Sequence, residues 1–415
     1  MQADEDINSL KLLLNNQLKK ESSLNCKKLK SGGIHGVDEI TFKLFTSNCP
    51  FTTKEEIVKD RIKHPPYGSN LIKDTSNYIK FSKTSGTSSD PLLWLDTTKD
   101  WNHMLEAWEI IFNHAGLNPK HDKLFFAFSF GPFLGFWTAY DAAEKMNFMT
   151  IPGGGLNSNA RLKLLADTSA NVLLCTPTYA LRLGKSLPKN HEHSVNKIIV
   201  AGEAGGSIPE IKDRISQLWG NVDVIDHHGM TEVGPVTYQD PNRPSYLNIL
   251  PGFHFAEVIS PDSNCEVNDG EKGELVLTTL KRCDNALLRY KTGDIVEKST
   301  INVDGHQRLS FKHGILGRTD DMHIIRGVNV FPSTIDAIIQ KYNHIGEYRV
   351  ISSTINSMEE IMLNVELNDH TVESKIINSL TDDLSSSLNL RIPITVVPEG
   401  TYEKFEFKSK RWIKE

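Results

Sequence analysis

"NKIIVAGEAGGSIPEIKDRISQLWGNVDVIDHHGMTE", residues 196–232, decides how the chain is read. Two short apolar runs, "NKIIVAG" and "NVDVIDH", bracket "IPEIKDRISQLWG", whose apolar residues recur near every 3.6 positions. That is strand, helix, strand. Working outward, "NVLLCTP" (171–177), "NFMTIP" (147–152) and "KLFFAFS" (123–129) repeat the strand pattern, and "NARLKLLADT" (159–168) repeats the helix. A βα series of this kind predicts an α/β fold with mostly parallel αβα sheets covered by helices on both faces. Each strand ends in small or polar residues: "PGGG" (152–155), "TPT" (176–178), "GEAGG" (202–206) and "HHGMTE" (227–232). Ligands of such sheets bind at the carboxyl ends of the strands, so four clusters on one edge point to one site.

After Pro235 the pattern changes to strand and turn, with "FHFAEVIS", "GELVLTTL" and "LLRYKTGDIV" predicting a β-rich subdomain. A second change comes near Arg318. Strands at His323–Arg326, Tyr348–Ser353, Ile361–Leu367 and Ile394–Pro398, with helices at Thr334–Tyr342 and Val372–Leu388, predict a small βαββαβ-like α+β domain. The expected division is a large domain over 1–319 and a small mobile one over 320–415. Roughly the first 80 residues read as helical and irregular and are assigned to the large domain.

Composition narrows the partners. The 415 residues are 39% hydrophobic, enough for a sizeable core, and 46 Lys+Arg against 52 Asp+Glu give a net charge of −6. That balance offers no general attraction to nucleic acid or acidic lipid. No apolar run suggests a membrane span and the start, "MQADEDINSL", is acidic, so a cytoplasmic protein is expected. Five scattered cysteines with no C-x-x-C pair indicate neither a disulfide framework nor a cysteine-built metal site.

"KTSGTSSDP" (83–91) has the small-residue crowding that lets backbone N–H groups close on a phosphate. It is not a Walker loop, because Ser89-Asp90-Pro91 stands where Gly-Lys-Ser/Thr is needed. In "HHGMTEVGP" Gly229 permits close backbone approach, Thr231 can donate a hydroxyl to a phosphate, and Glu232 is a hard oxygen ligand suited to Mg2+. The bland alternative is a helix start, with Thr231 as cap and Glu232 favourable to the dipole. His227 and His228 make a poor zinc pair, since neighbours on an extended strand point opposite ways. Asp294, in "LLRYKTGDI", offers two acceptor oxygens to a vicinal diol, although Gly-Asp is also a turn signal. "FAFSFGPFLGFW", with Phe130, Phe133, Phe136 and Trp137 between Gly131 and Gly135, can line a slot for a flat aromatic acid or simply fill a core.

Five stretches in order, "KTSGTSSDP", "GEAGGSIPE", "HHGMTEVGP", "LLRYKTGDI" and "GRTDDMHIIRGVNVFPS" (317–333), resemble the adenylate-forming (acyl-CoA synthetase/adenylation) superfamily, and specifically its phenylacetate–CoA ligase-like branch. The resemblance runs over nearly the whole chain. It implies an acid–thiol ligase that joins a carboxylic acid, expected to be aromatic, to ATP as an acyl-adenylate with release of pyrophosphate. The acyl group then passes to coenzyme A, or to the phosphopantetheine of a carrier protein. It also implies roles for particular residues. Ser85, Gly86, Thr87 and Ser88 hold phosphate; Gly202, Glu203 and Ala204 lie near the adenine, and His227, Gly229 and Met230 also belong to the ATP/AMP-binding set. His228 stands where the family carries an adenine-stacking Tyr, Thr231 contacts the α-phosphate, Glu232 holds Mg2+, and Asp294 with Arg318 meets the ribose. Asp320 is the hinge, Gly327 faces the thiol tunnel, Lys408 is the catalytic lysine with Lys410 as alternative, and Phe130, Gly131, Phe136 and Gly154 line the acyl pocket. Departures from the family are Ser89 for a glycine, Asp90 for a cation, and Asp240 and Asn248 at positions where some kin bind zinc, so no structural zinc is expected. Homodimerisation is common among kin, and a catalytically silent nucleotide- or acyl-binding homologue is the reading of a different class.

Overall fold

The structure, a computed structural model, describes residues 2–84, 91–187, 193–303, 305–326, 328–355, 358–368, 373–402 and 411–414. Its centre is one five-stranded parallel sheet in the order Met149–Pro152, Lys123–Phe126, Val172–Cys175, Lys197–Val200, Asp223–Asp226. Side chains alternate across it as strand geometry requires. Leu124, Phe126, Val172, Leu174 and Ile199 enter one core with Trp108 and Phe112 of helix Thr98–His114. Phe125, Leu173, Cys175, Ile198 and Val200 enter the opposite core with Ile211, Ile215 and Trp219. Burying one such side chain contributes roughly 1.5–3 kcal/mol, so the near-continuous apolar runs follow from having two covered faces.

Helix starts behind the strands are marked in the sequence. Thr176 caps helix Pro177–Ser186 by accepting from Tyr179 N, with Pro177 in the first turn, and Pro209 opens helix Pro209–Leu218. These caps fix the turns that carry the strand-end clusters.

The remaining sheets are antiparallel or mixed. A six-stranded antiparallel sheet runs Thr237–Gln239, Tyr246–Ile249, His306–Arg318, Tyr290–Val303, Lys272–Thr279, His254–Ile259, which is the β-rich region expected after Pro235. A hairpin of Tyr78–Lys83 and Leu93–Thr97 flanks residues 85–90. The C-terminal sheet is built from His323–Ile325, Val328–Val330, Ile345–Ile355, Met358–Leu367, Ile394–Val397 and Trp412–Lys414, around helices Pro332–Gln340 and Glu373–Leu388. Two of its strands, Val328–Val330 and Trp412–Lys414, lie outside the βαββαβ-like pattern. The first helix also begins two residues before the predicted Thr334, because Pro332 sits in its first turn. The N-terminal helices Gln2–Leu18, Leu24–Ser31 and Phe42–Asn48 close a separate core with Leu280 and Leu288 of the β-rich region. No described helix is long and apolar enough to cross a membrane.

Candidate active site

Strand Asp223–Asp226 delivers His227 and His228 to the sheet edge, and the chain then turns back on itself: Gly229–Met230 pairs antiparallel with Gly234–Pro235. Thr231 and Glu232 therefore stand at the tip of a tight hairpin, not at a helix start. Glycine is required at Gly229, where a Cβ would lie 2.9 Å from Gly234 O, and at Gly234, where φ is +86°.

The hairpin is tied down from behind. The Arg282 guanidinium donates from Nη1 to the Thr231 carbonyl at 2.7 Å, and from Nε and Nη2 to both carboxylate oxygens of Asp96 at 2.6 and 2.7 Å. Both partners are buried, at 3% and 0% exposure. Neither was singled out in the sequence; they lie 186 positions apart, and the one signal was the charge of Asp96 at the end of the apolar run 92–95.

Glu232 is buried, and burial pushes its carboxyl above the usual range. Its contact is the Tyr290 hydroxyl, donating at 3.4 Å to Oε1, and it has no ion pair among the described residues. Asp294, four residues beyond Tyr290, is set by the register that places it opposite Arg318 in neighbouring strands. Arg318 Nη1 donates to Asp294 Oδ1 at 2.9 Å and Nε to the hinge candidate Asp320 at 2.9 Å. His228 Nε2 lies 3.2 Å from Asp294 Oδ2. Burial alone would raise the Asp294 carboxyl, yet His228 and Arg318 together hold it below its usual range. His228, Asp294 and Arg318 thus form one cluster, and Glu232, next to Thr231 at the hairpin tip, reaches the same strand through Tyr290.

His227 faces inward. Its ring lies 4.5 Å from that of Trp108, and Nδ1 is 2.8 Å from Thr237 O, which can only accept, so Nδ1 carries the proton. Burial pushes its pKa down to about 3, keeping it neutral. In the loop 202–206, Gly202 and Gly205 have φ of +88° and +135°, and a Cβ on Gly206 would meet Asp226 Oδ1 at 2.4 Å. Glu203 turns toward the helix start at Pro177, accepting from Thr178 Oγ1 at 2.6 Å. Ala204 is half-buried beside it.

From His227 a series of rings leads away. Trp108 is 6.3 Å from Phe136, Phe136 is 5.1 Å from Phe128, and Phe128 is 4.5 Å from Phe130. Phe130 meets Trp137 and Tyr140 edge-on, and a Cβ on Gly154 would strike its ring at 2.5 Å. Trp137 Nε1 donates to Gly131 O at 3.0 Å. Phe130, Gly131, Phe136 and Gly154 are therefore contiguous, whereas Phe133 is 39% exposed and folds over Gly131. Phe128 and Tyr140 complete the cluster and were missed; the period-two spacing of 126, 128 and 130 could have found Phe128.

At the positions considered for zinc, Asn248 accepts from Ser310 Oγ at 2.7 Å, and no metal-holding group of three or more His, Cys, Asp or Glu occurs among the described residues. Ser85, Gly86, Thr87, Ser88, Ser89, Asp90, Gly327, Lys408 and Lys410 lie outside the described residues. Helix Pro332–Gln340 packs on helix Pro209–Leu218, Ala337 joining the latter's core, and Lys341 lies 3.9 Å from Glu210.

The chain is similar to known proteins over nearly its whole length. Residues 327–415 match the AMP-binding enzyme C-terminal domain. The phenylacetate-coenzyme A ligase of Escherichia coli is 25% identical over 397 residues, covering 93% of this chain and 88% of that protein. The Pseudomonas putida phenylacetate-coenzyme A ligase is 26% identical over 90% of this chain and 85% of its own length. Among solved structures, 2-hydroxyisobutyryl-CoA ligase in the postadenylation state with 2-HIB-AMP has a TM-score of 0.88 at 24% identity, covering all of this chain and 89% of that one. The same ligase with CoA in the thioesterification state gives 0.71, so the whole-chain arrangement is nearer the former. The fold is the one that adenylate-forming enzymes have, and residues 327–415 match their C-terminal domain. Over nearly its whole length the chain is similar to phenylacetate-coenzyme A ligases, at 25–26% identity.

Proposed function

We propose that this chain is an AMP-forming acid–CoA ligase: it activates a carboxylic acid with ATP to an acyl-adenylate and pyrophosphate, then transfers the acyl group to the thiol of coenzyme A. The observation that carries the reading is that Thr231 and Glu232, at the hairpin tip, stand beside strand Tyr290–Val303 with Asp294, an arrangement that offers one hydroxyl donor and two buried carboxylates. In the first step a carboxylate oxygen attacks the α-phosphorus and the bond to pyrophosphate breaks. Negative charge accumulates there, and the Thr231 hydroxyl is the donor aimed at it. Asp294 takes the ribose hydroxyls and Arg318 holds its carboxylate in place. In the second step the thiol sulfur attacks the acyl carbon and AMP leaves.

Glu232 fits a divalent cation, being a buried hard-oxygen donor with no ion pair among the described residues. Bound there, Mg2+ would neutralise charge on the phosphates. The ring cluster around Phe130 and Phe136 would receive the acid, and an aromatic acid suits its flat faces. Asp320 serves as hinge between residues 1–319 and 320–415, Lys408 reaches the phosphate, and Gly327 faces the thiol. The test is pyrophosphate release from ATP and Mg2+ across aromatic and short aliphatic acids, with and without CoA. Release that depends on one acid and rises with CoA supports the ligase; a carrier-loading enzyme would show no CoA stimulation. ATP binding without release from any acid would overturn the catalytic reading.

A further inference from the structure

We infer that Arg282, braced by Asp96, is the positioning residue that fixes Thr231 and Glu232 relative to the strand following residues 85–90. This rests on the adenylation reading above. Asp96 belongs to strand Leu93–Thr97, and Arg282 to the turn after strand Lys272–Thr279. One planar guanidinium joins three separate stretches, giving two hydrogen bonds to Asp96 and a third to the Thr231 carbonyl.

The turn that carries Arg282 is itself immobilised. Asp100 accepts from the backbone of Cys283 and Asp284 at 3.0 Å each, Thr279 Oγ1 donates to Arg282 O at 3.0 Å, and Thr97 Oγ1 donates to Asp284 at 2.8 Å. Trp94 lies over the guanidinium at 5.4 Å. A buried ion pair is weak evidence for stability, since apolar residues of similar volume often serve as well. What an apolar pair cannot do is hold the Thr231 carbonyl, and through it the orientation of the hydroxyl and carboxylate at the hairpin tip. Misplacement of a reacting constellation by about 1 Å costs on the order of a hundredfold in rate.

Two variants test this: Arg282→Lys, which keeps the charge opposite Asp96, and the double variant Asp96→Leu/Arg282→Met, which removes the pair without stranding a charge. Thermal unfolding, calorimetric ATP binding against Mg2+ concentration, acid-dependent pyrophosphate release and thioester formation from supplied acyl-adenylate are measured on each. The expected result is cooperative unfolding, a fall in kcat for pyrophosphate release of about 30- to 100-fold with KM for the acid within about twofold, and thioester formation within about twofold of wild type. The Mg2+ needed for half-maximal ATP binding should rise about fivefold, through the displaced Glu232. Wild-type kcat and Mg2+ dependence in either variant overturns the inference, and so does a parallel loss of both half-reactions that tracks loss of folded protein. If wild type releases no pyrophosphate with any acid, the functional reading fails, while the Mg2+ dependence of ATP binding still decides the positioning role.

Discussion

The imidazole of His228 covers the carboxylate of Asp294, with Nε2 3.2 Å from Oδ2 and neither atom in an aligned hydrogen bond. Both atoms are out of contact with water. If Asp294 takes the ribose hydroxyls as proposed, the ring must swing aside for the nucleotide, and it could then cover the purine. The two roles compete for one side chain. Replacing it with a flat ring that has no affinity for a carboxylate removes the competition. His228→Phe should bind ATP about tenfold more tightly in calorimetry, or roughly 1.4 kcal/mol, and His228→Ala should bind more weakly than Phe for want of a stacking face. Weaker binding by His228→Phe than by wild type would show that the imidazole's polar edge is used in the complex.

Glu232 is buried in a place where the proposed cation would favour its charged form. Its carboxyl is buried, accepts from the Tyr290 hydroxyl at 3.4 Å and lies by its own backbone N–H, and burial disfavours its charged form. Glu232→Gln keeps the shape without the charge. The variant should lose about 100- to 1000-fold in pyrophosphate release while its Tm rises by roughly 1–3 °C. A drop in both would mean that the carboxylate is structural.

The lysine assignment rests on sequence pattern. Lys408→Ala should reduce adenylation sharply yet leave thioester formation from supplied acyl-adenylate largely intact, because only the first step needs a cation at the departing phosphate. Single-turnover assays of the two half-reactions separate these effects. The same split produced by Lys410→Ala instead would move the assignment by two residues.

How much of this was legible in the chain follows from the range of the forces involved. Leu124, Phe125 and Phe126 read as a strand because both faces are covered locally, and the helix in "IPEIKDRISQLWG", which opens at Pro209, read from its own 3.6-residue spacing. Val328–Val330 and Trp412–Lys414 did not, since three-residue strands exist only through their partners, and Trp412 pairs with Val350. In the site, the clusters at strand ends were visible as composition. The Arg282–Asp96 pair was not, because its meaning lies in a contact across 186 residues, and the hairpin at Gly229–Pro235 depends on a backbone approach that sequence does not display.

The buried histidines set the acid limb of stability. His227 and His254 have pKa values pushed down to about 3 and about 4 from an ordinary 6.5, in both cases by burial first. His254 Nε2 is 2.7 Å from Pro235 O and its Nδ1 is buried without a partner, so protonation there has no acceptor to meet. A folded value below the unfolded one gives stability that is fully present above pH 6.5 and lost as pH falls toward 4 and 3. At pH 5 the loss is about 2 kcal/mol per histidine. Asp100 and Asp336 oppose it: burial raises both to about 6 from 3.8, so their contribution is present below pH 3.8 and lost as pH rises through 6. Wild-type stability should therefore change little between pH 7 and 5, and the histidine contribution emerges only by difference. His254→Gln retains a donor toward Pro235 O and does not titrate. It should be less stable than wild type at pH 7, and the gap should shrink by about 2 kcal/mol at pH 5 in denaturant unfolding. A gap that is the same at both pH values would mean that His254 keeps its ordinary pKa in the folded chain.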